Sequence, residues 1–227
     1  MRQMPLGVRL PDRATFATFL AARNVQAFDH LGRVARGGVA GTTWICGPTG
    51  TGKTHLLQAT CAASGAAAYV PLGELLPLGT GALEGLGELA CVCVDDVDRV
   101  AGRLEWERAL FALHREIDER AGRLVCAAEP PPALVAWALP DLGSRLAASQ
   151  VFQLRPLGED EQVEALRLRA STRGFDLPDE TARWLQRRFP RDMGTLYGLL
   201  DTLDEAALTA QRRLTIPFIR SVLREAD

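Results

Sequence analysis

Short continuous apolar runs alternate with amphipathic stretches over the first two-thirds of the chain. Such runs are typical of strands buried on both faces, and the stretches between them repeat apolar residues at helical spacing. The pattern predicts strands over 42–46, 68–71, 90–94, 123–128 and 151–154, and helices over 54–63 and 105–120. The Gly- and Leu-rich segment 72–89 predicts no more than a short helix between turns. Alternating strands and helices predict an α/β fold with a parallel sheet covered on both sides.

The pattern changes after Pro156. Four helical segments follow, with prolines and capping residues near their starts, over 159–173, 178–189, 192–210 and 217–226. We therefore expect an α/β domain at 14–156 and a small all-helical domain at 157–227. Residues 1–13 lack periodicity and are punctuated by Pro and Gly, which predicts an extended tail.

Composition is that of a soluble globular protein. Hydrophobic residues make up 47% and charged residues 24%, and the net charge of −2 gives no general electrostatic reason to bind nucleic acid. No apolar run approaches the ~20 residues of a membrane span, and the N-terminus lacks the apolar core of a secretory signal. The five cysteines lie in predicted strands and a helix without zinc-site spacing, so they are expected to be reduced. We expect a cytoplasmic protein with no membrane partner.

The most specific motif is a glycine loop between a predicted strand and a predicted helix. It comprises Gly47, Pro48, Thr49, Gly50, Thr51, Gly52, Lys53 and Thr54, followed by His55. Lys53 is the only lysine in the chain, and the other 25 basic residues are arginines. A phosphate loop needs the compact ammonium of lysine, which the planar guanidinium of arginine cannot replace. A chance glycine turn is the alternative, but the strand–loop–helix context favours a nucleotide site.

Two carboxylates follow the apolar run 90–94. Asp95 is the candidate to hold Mg²⁺ together with the Thr54 hydroxyl, and Asp96 is the candidate to orient an attacking water. An Asp-Asp pair at a strand end can also be a turn cap. Its position about 40 residues after the glycine loop favours a Mg²⁺–nucleotide site.

Several further blocks resemble the AAA+ module of the DnaA family of bacterial replication initiators and, more closely, its shortened Hda branch. These blocks are 14–19 with Asn24, 139–146, 168–170, 173–178 and 210–218. The resemblance implies an AAA+ three-layer sandwich followed by a helical lid, with Phe19 and Asn24 near the adenine of bound ADP or ATP. It also implies that Arg145 is an arginine finger that contacts nucleotide bound by a neighbouring protein. The alternative for Arg145 is a surface ion pair with Asp141, four residues earlier.

Two positions depart from the pattern of hydrolysing relatives. After the strand 123–128 only Glu129 is available as the polar sensor, and Gly194 stands where the family carries a lid-helix arginine. Arg191 lies one turn earlier, which displaces its charge by roughly 5 Å. We therefore expect nucleotide binding, most productively of ADP, with little hydrolysis.

The N-terminal residues Gln3, Met4 and Leu6 are by composition compatible with a disordered start. The resemblance implies that they dock on the beta sliding clamp of DNA polymerase III, as an extended peptide in an apolar groove. Nothing before Asp227 resembles a DNA-recognition helix, so DNA is expected to be contacted only indirectly.

These observations together favour an Hda-like inhibitor of replication initiation that stimulates ATP hydrolysis by its partner DnaA. The alternatives are a self-hydrolysing AAA+ ATPase such as a helicase loader, and a module that only scaffolds replication proteins. The sequence is also compatible with a homodimer or a larger oligomer.

Overall fold

Five parallel strands form the centre of the α/β region. The computed structural model describes residues 14–190, 192–210 and 214–225. The strands are β1 (Gly41–Cys46), β2 (Ala67–Pro71), β3 (Cys91–Asp95), β4 (Arg123–Ala128) and β5 (Gln150–Gln153). Their order in the sheet is β2-β3-β4-β1-β5, and every neighbouring pair is parallel. Each strand lies within one residue of its predicted position, because buried parallel strands are continuous apolar runs.

Five helices belong to this α/β region: α1 (Val25–Ala35), α2 (Lys53–Ala62), the short α3 (Leu72–Leu75), α4 (Leu104–Glu119) and α5 (Pro140–Ala147). Helices α1 and α2 share one apolar core with one face of the sheet, and α4 and α5 share another with the opposite face. Successive strand residues point to alternate faces, so Trp44 and Ile45 enter different cores. The ambiguous segment 72–89 consists of α3 and several 3₁₀ turns.

The helical region after the sheet has a core of its own. It comprises α6 (Glu159–Thr172), α7 (Asp179–Arg188), α8 (Met193–Ala210) and α9 (Ile216–Glu225). Leu166, Leu185, Leu200 and Ile219 are buried together in this core. We call this region the lid. Among the described helices of the whole chain, none combines the length and apolar character that a membrane span requires.

The segment that precedes α1 connects the two regions. We call residues 14–24 the arm. Phe16 and Phe19 pack against the core beneath α1 and α2, while Leu20 packs against the lid core. The sequence prediction contained no helix at α1, although its buried positions Ala27, Leu31 and Val34 follow helical spacing. The arm and α1 close one end of the site described next.

Candidate nucleotide-binding site

The glycine loop turns sharply between the end of β1 and the start of α2. Gly47 has φ +146° and Gly52 has φ +91°, both in the region that favours glycine. A Cβ atom on Gly47 would lie 2.6 Å from the carbonyl oxygen of Leu154, and one on Gly52 would lie 2.6 Å from the Phe19 ring. The loop therefore approaches its neighbours so closely that a side chain at either position would displace them.

Lys53 opens α2 and folds back over the loop. Its Nζ donates hydrogen bonds to the carbonyl oxygens of Gly47 (2.6 Å) and Pro48 (3.1 Å). The Thr51 hydroxyl donates to the Pro48 carbonyl at 2.8 Å, which further fixes the turn. The ammonium is thereby held at the mouth of the loop, where a phosphate group bound by the loop amides would meet it.

Asp95, at the end of β3, accepts three hydrogen bonds and is only 4% exposed. Its Oδ2 accepts from the Thr54 hydroxyl at 2.6 Å and from the Tyr69 hydroxyl at 3.0 Å, and its Oδ1 accepts from the Asp96 amide at 3.0 Å. Burial is the main cause that raises the pKa of Tyr69, and the Asp95 charge adds to it. Tyr69 is a site residue that the sequence analysis missed.

The pairing of Thr54 with Asp95 fits the oxygen ligands that Mg²⁺ prefers. Mg²⁺ keeps several waters and takes one or two protein ligands together with substrate phosphates. Within the described residues, no group of three or more His, Cys, Asp or Glu side chains is arranged to hold a metal ion.

Asp96 follows with a left-handed backbone, at φ +55°. Its carboxylate lies 3.3 Å from Nε of Arg99, and burial, followed by the charge of Asp95, raises its pKa. The Asp96 side chain also lies on the wall of the cavity described below. It is placed to contact a water or a phosphate there, although its pairing with Arg99 holds it to one side.

The arm supplies an aromatic and polar wall around His55. The His55 Nε2 atom lies 2.9 Å from the Thr15 carbonyl oxygen and 3.2 Å from the Thr18 hydroxyl. The Phe19 ring lies 5.4 Å from the His55 ring. Burial lowers the pKa of His55, and the charge of Arg169 lowers it further. A neutral, partly aromatic wall of this kind suits a nucleoside base.

Asn24 is buried where the arm meets the start of the lid. Its Nδ2 donates to the Arg155 carbonyl at 3.0 Å, and its Oδ1 accepts from the Arg155 amide at 2.8 Å. The residue also contributes to the cavity wall. Both polar ends of the side chain thus hold the arm against Arg155, a structural contact that the resemblance to initiators did not predict.

A cavity of about 420 Å³ lies between the glycine loop, the arm and the lid. Its wall includes most of the predicted site residues: Phe19, Asn24, Thr49, Gly50, Thr51, Gly52, Lys53, Thr54, His55, Asp95 and Asp96. Gly47 and Pro48 lie behind the wall and contribute the carbonyl oxygens that accept from Lys53. The predicted partner-binding residues Gln3, Met4 and Leu6 lie outside the described part of the chain, as does Arg191.

The lid contributes Leu157, Arg169, Met193, Gly194 and Tyr197 to the same wall. The Arg169 guanidinium pairs with Asp201 at 2.9 Å and lies 4.6 Å from the centre of the Tyr197 ring. The sequence predicts no role for Arg169 or Tyr197, since their approach to the cavity depends on how the lid packs. Gly194, in the first turn of α8, presents only backbone there.

Besides Gly47 and Pro48, two further predicted site residues, Glu129 and Arg145, are not on the cavity wall. The Glu129 side chain is exposed, and the residue contacts the loop through its carbonyl oxygen, which accepts from the Gly47 amide at 3.1 Å. The Glu129 carboxylate is not part of the cavity wall, and its role as a nucleotide sensor stays a prediction. Arg145 is exposed on α5, and its guanidinium lies 5.3 Å from the centre of the Phe111 ring. The ion pairs found among the described residues do not include one between Arg145 and Asp141.

Comparisons with known proteins bear on the fold and on the lid. Residues 159–223 match the sequence model of the Hda lid domain. The fold matches domain III of the replication initiation protein DnaA from Thermotoga maritima, with a TM-score of 0.79 and 21% identity over 95% of this chain and 98% of that one. AMPPCP-bound DnaA from Aquifex aeolicus matches with a TM-score of 0.69 and 18% identity, over 86% of this chain and 66% of that one.

A motor protein shares the fold as well. The RuvB Holliday junction branch migration motor of Thermotoga maritima matches with a TM-score of 0.66 and 16% identity, over 92% of this chain and 73% of that one. The predicted AAA+ fold with a helical lid and the resemblance to Hda are both confirmed.

Proposed function

We propose that this Hda-like AAA+ protein is a negative regulator of chromosomal replication initiation, which binds an adenine nucleotide and stimulates ATP hydrolysis by DnaA. One observation carries the proposal: a well-formed phosphate loop faces a lid that offers glycine at position 194, while Arg145 is exposed outside the cavity. Such a molecule is suited to hold nucleotide and to act on nucleotide held elsewhere.

The nucleotide is proposed to lie in the cavity between loop, arm and lid. The loop amides and Lys53 would hold the phosphates, and Thr54 with Asp95 would hold Mg²⁺. Phe19 and His55 would contact the base. The AMPPCP-bound state of the Aquifex aeolicus DnaA supports an adenine nucleotide by analogy. Because Gly194 brings no charge to a γ-phosphate, ADP is the better candidate for the resident nucleotide.

Arg145 is proposed to enter the active site of the partner DnaA. Its exposed guanidinium rests on the Phe111 ring, which holds the charge outward without neutralising it. An arginine that reaches a neighbour's γ-phosphate offsets charge in the transition state and accelerates hydrolysis by factors of about 10³ or more. Asp96 is retained as the residue that would orient water if the protein's own site hydrolyses ATP slowly.

The remaining parts of the proposal rest on the sequence. Gln3, Met4 and Leu6 would dock on the beta sliding clamp, which would bring the protein to DNA indirectly. The proposed organisation has the clamp-binding tail at 1–13, the AAA+ base at 14–156 and the lid at 157–227. Assembly into a homodimer or larger oligomer is compatible with this organisation.

The test mixes the protein with DnaA carrying labelled ATP, together with clamp loaded on DNA, and follows the ADP formed. The wild type should accelerate hydrolysis, and Arg145→Ala should abolish most of the acceleration. Arg33→Ala removes an equally exposed arginine from α1, on the opposite face of the sheet, and should leave the acceleration intact. A protein that hydrolyses ATP rapidly alone, loses this activity in Lys53→Ala and leaves DnaA unaffected would be a self-hydrolysing ATPase. A protein that does neither would be a scaffold.

A further inference from the structure

Glu107 is a carboxylate in the first turn of α4 with no exposed surface. Its Oε1 accepts hydrogen bonds from the amides of Gly102 (2.6 Å) and Ala138 (3.0 Å), and its Oε2 accepts from the amide of Leu139 (2.6 Å). A buried carboxylate is costly unless donors satisfy both oxygens. These three backbone amides provide that compensation, so their positions and that of Glu107 depend on one another.

The three donors belong to two segments that are distant in sequence. Gly102 lies in the connection between β3 and α4, downstream of Asp95. Ala138 and Leu139 directly precede Pro140, the first residue of α5. Glu107 therefore fastens the start of α5 both to α4 and to the connection that leaves the Mg²⁺ side of the site.

The start of α5 has few other polar contacts to hold it. Leu139, the N-cap residue, makes no side-chain hydrogen bond to the first turn, and its amide donates to the Glu107 carboxylate. Its negative charge also interacts favourably with the positive end of the helix dipole. Trp137, one residue before Ala138, packs edge-on against Trp44 at 6.5 Å and so anchors the same segment in the core.

The two helices that Glu107 connects, α4 and α5, also carry Phe111 and Arg145, which contact each other. Phe111 lies four residues after Glu107 on α4, which places both on the same face of the helix. Arg145 lies on α5 and stacks on Phe111. The distance between α4 and α5 at Glu107 thus determines how the Arg145 guanidinium contacts the Phe111 ring, which lies one turn further along α4.

We propose that Glu107 is a positioning residue for Arg145: by binding the backbone before α5, it sets the direction in which the guanidinium leaves the surface. The proposal rests on the function proposed above, in which Arg145 acts on the partner's nucleotide. Glu107 acts only through the orientation of α5. It has no contact with the nucleotide cavity of its own chain, whose wall does not include it.

The first experiment needs no partner protein. Hydrogen–deuterium exchange is compared for peptides spanning 136–147 in the wild type, Glu107→Gln and Glu105→Gln. Glutamine keeps the shape but turns an amino group toward a backbone amide, so exchange at 138–147 should be faster in Glu107→Gln. Glu105→Gln removes an equal charge from an exposed position of α4 and should exchange like the wild type. Exchange in Glu107→Gln equal to that of the wild type overturns the proposal.

The second experiment measures DnaA hydrolysis as a function of the concentration of each variant. Glu107→Gln should lower the maximal stimulated rate by about 10- to 100-fold, the cost of a misplaced catalytic group, with the half-saturating concentration unchanged. Binding of fluorescent ADP should also be unchanged. The double variant with Arg145→Ala should lose no more than Arg145→Ala alone, because both changes remove the same interaction. Full additivity would mean that Glu107 acts independently of Arg145 and would overturn the proposal.

The experiments distinguish failure of the proposed function from failure of the proposed role of Glu107. If the wild type does not stimulate DnaA, the proposed function fails, while the exchange data still decide whether Glu107 holds α5. If Glu107→Gln shows no cooperative unfolding transition, Glu107→Asp is measured in its place, since it keeps the charge and shortens the reach by one methylene. Faster exchange and a lower maximal rate in Glu107→Asp support the proposal, and wild-type values overturn it.

Discussion

The Nε2 atom of His30 lies 2.9 Å from the Thr43 hydroxyl, deep between α1 and the sheet. The preceding residue of β1, Thr42, makes the matching contact with His114 on the opposite face, at 3.2 Å. Neighbouring strand residues point to opposite faces, so each hydroxyl meets the histidine of the helix that covers its side. The Nδ1 atoms of both histidines are buried without a hydrogen-bond partner.

This arrangement predicts that the fold loses stability as the pH falls below about 6.5. Burial is the main cause that lowers the pKa values of His30, His55 and His114 from 6.5. Protons then bind the unfolded chain more tightly than the folded one. The loss of stability begins as the pH falls through 6.5, the pKa of these histidines in the unfolded chain. It is complete once the pH is below their pKa values in the folded protein. The melting temperature, measured from pH 8 to pH 5, should fall, and His30→Gln should flatten the fall. A melting temperature that rises over this range would contradict the prediction.

The contact between Gly52 and Phe19 predicts unequal effects of two alanine substitutions in the glycine loop. Gly50→Ala places a side chain at φ +81° in open space, which costs about 1–2 kcal/mol of stability. Gly52→Ala adds to a similar backbone strain a clash with the Phe19 ring, which costs about a further 1–3 kcal/mol. Chemical denaturation should therefore rank Gly52→Ala as clearly less stable than Gly50→Ala. Equal stability of the two variants would mean that the ring moves aside without cost.

Because Gly194 has no side chain, an arginine at this position is predicted to strengthen ATP binding. Gly194→Arg would place a guanidinium in the cavity wall, and the exposed Asp192 carboxylate, 3.0 Å from the new Cβ, can turn away. A charge-assisted hydrogen bond to phosphate should tighten ATP binding by about 10- to 100-fold. Gly198→Arg, one turn later on α8 and outside the cavity wall, is the matched control. Equal affinities for ATP in the two variants, measured by fluorescent nucleotide binding, would exclude a role for position 194 in phosphate contact.

The two hydrogen bonds between Asn24 and Arg155 predict a measurable loss of stability on removal. Asn24→Ala removes both hydrogen bonds to the Arg155 backbone, which should lower the free energy of unfolding by about 1–3 kcal/mol. Gln26→Ala, two residues further on and exposed, should change little. Denaturant titration measures both. If Asn24→Ala were as stable as Gln26→Ala, the arm would not be held to the backbone of Arg155 by this contact.

The sequence predicted the elements that depend on neighbouring residues in the chain. The five strands followed from apolar runs, and the phosphate loop followed from glycine spacing around Lys53. Residues brought in by tertiary packing escaped prediction. Tyr69 is hydrogen-bonded to Asp95, 26 residues further along the chain. Arg169 on α6 reaches the cavity because its partner Asp201 on α8, 32 residues away, holds its side chain there.

Two carboxylates show what a strand or helix pattern leaves open. Glu129 is the polar residue that follows β4, but a strand end does not determine where a side chain points, and this one is exposed. Glu107 lies two residues from the exposed Glu105 on the same helix. Only the path of the chain before α5 distinguishes a carboxylate that binds three amides from one on the surface.

The single lysine has a practical consequence in protein chemistry. Lys53 lies at the mouth of the phosphate loop and is the only side-chain amine in the chain. Apart from the α-amino group, an amine-selective acylating reagent therefore meets one target, and that target lies on the wall of the cavity between the glycine loop, the arm and the lid. The extent of acylation at Lys53, measured by mass spectrometry, would report how much of a purified sample has this cavity occupied, without any introduced label.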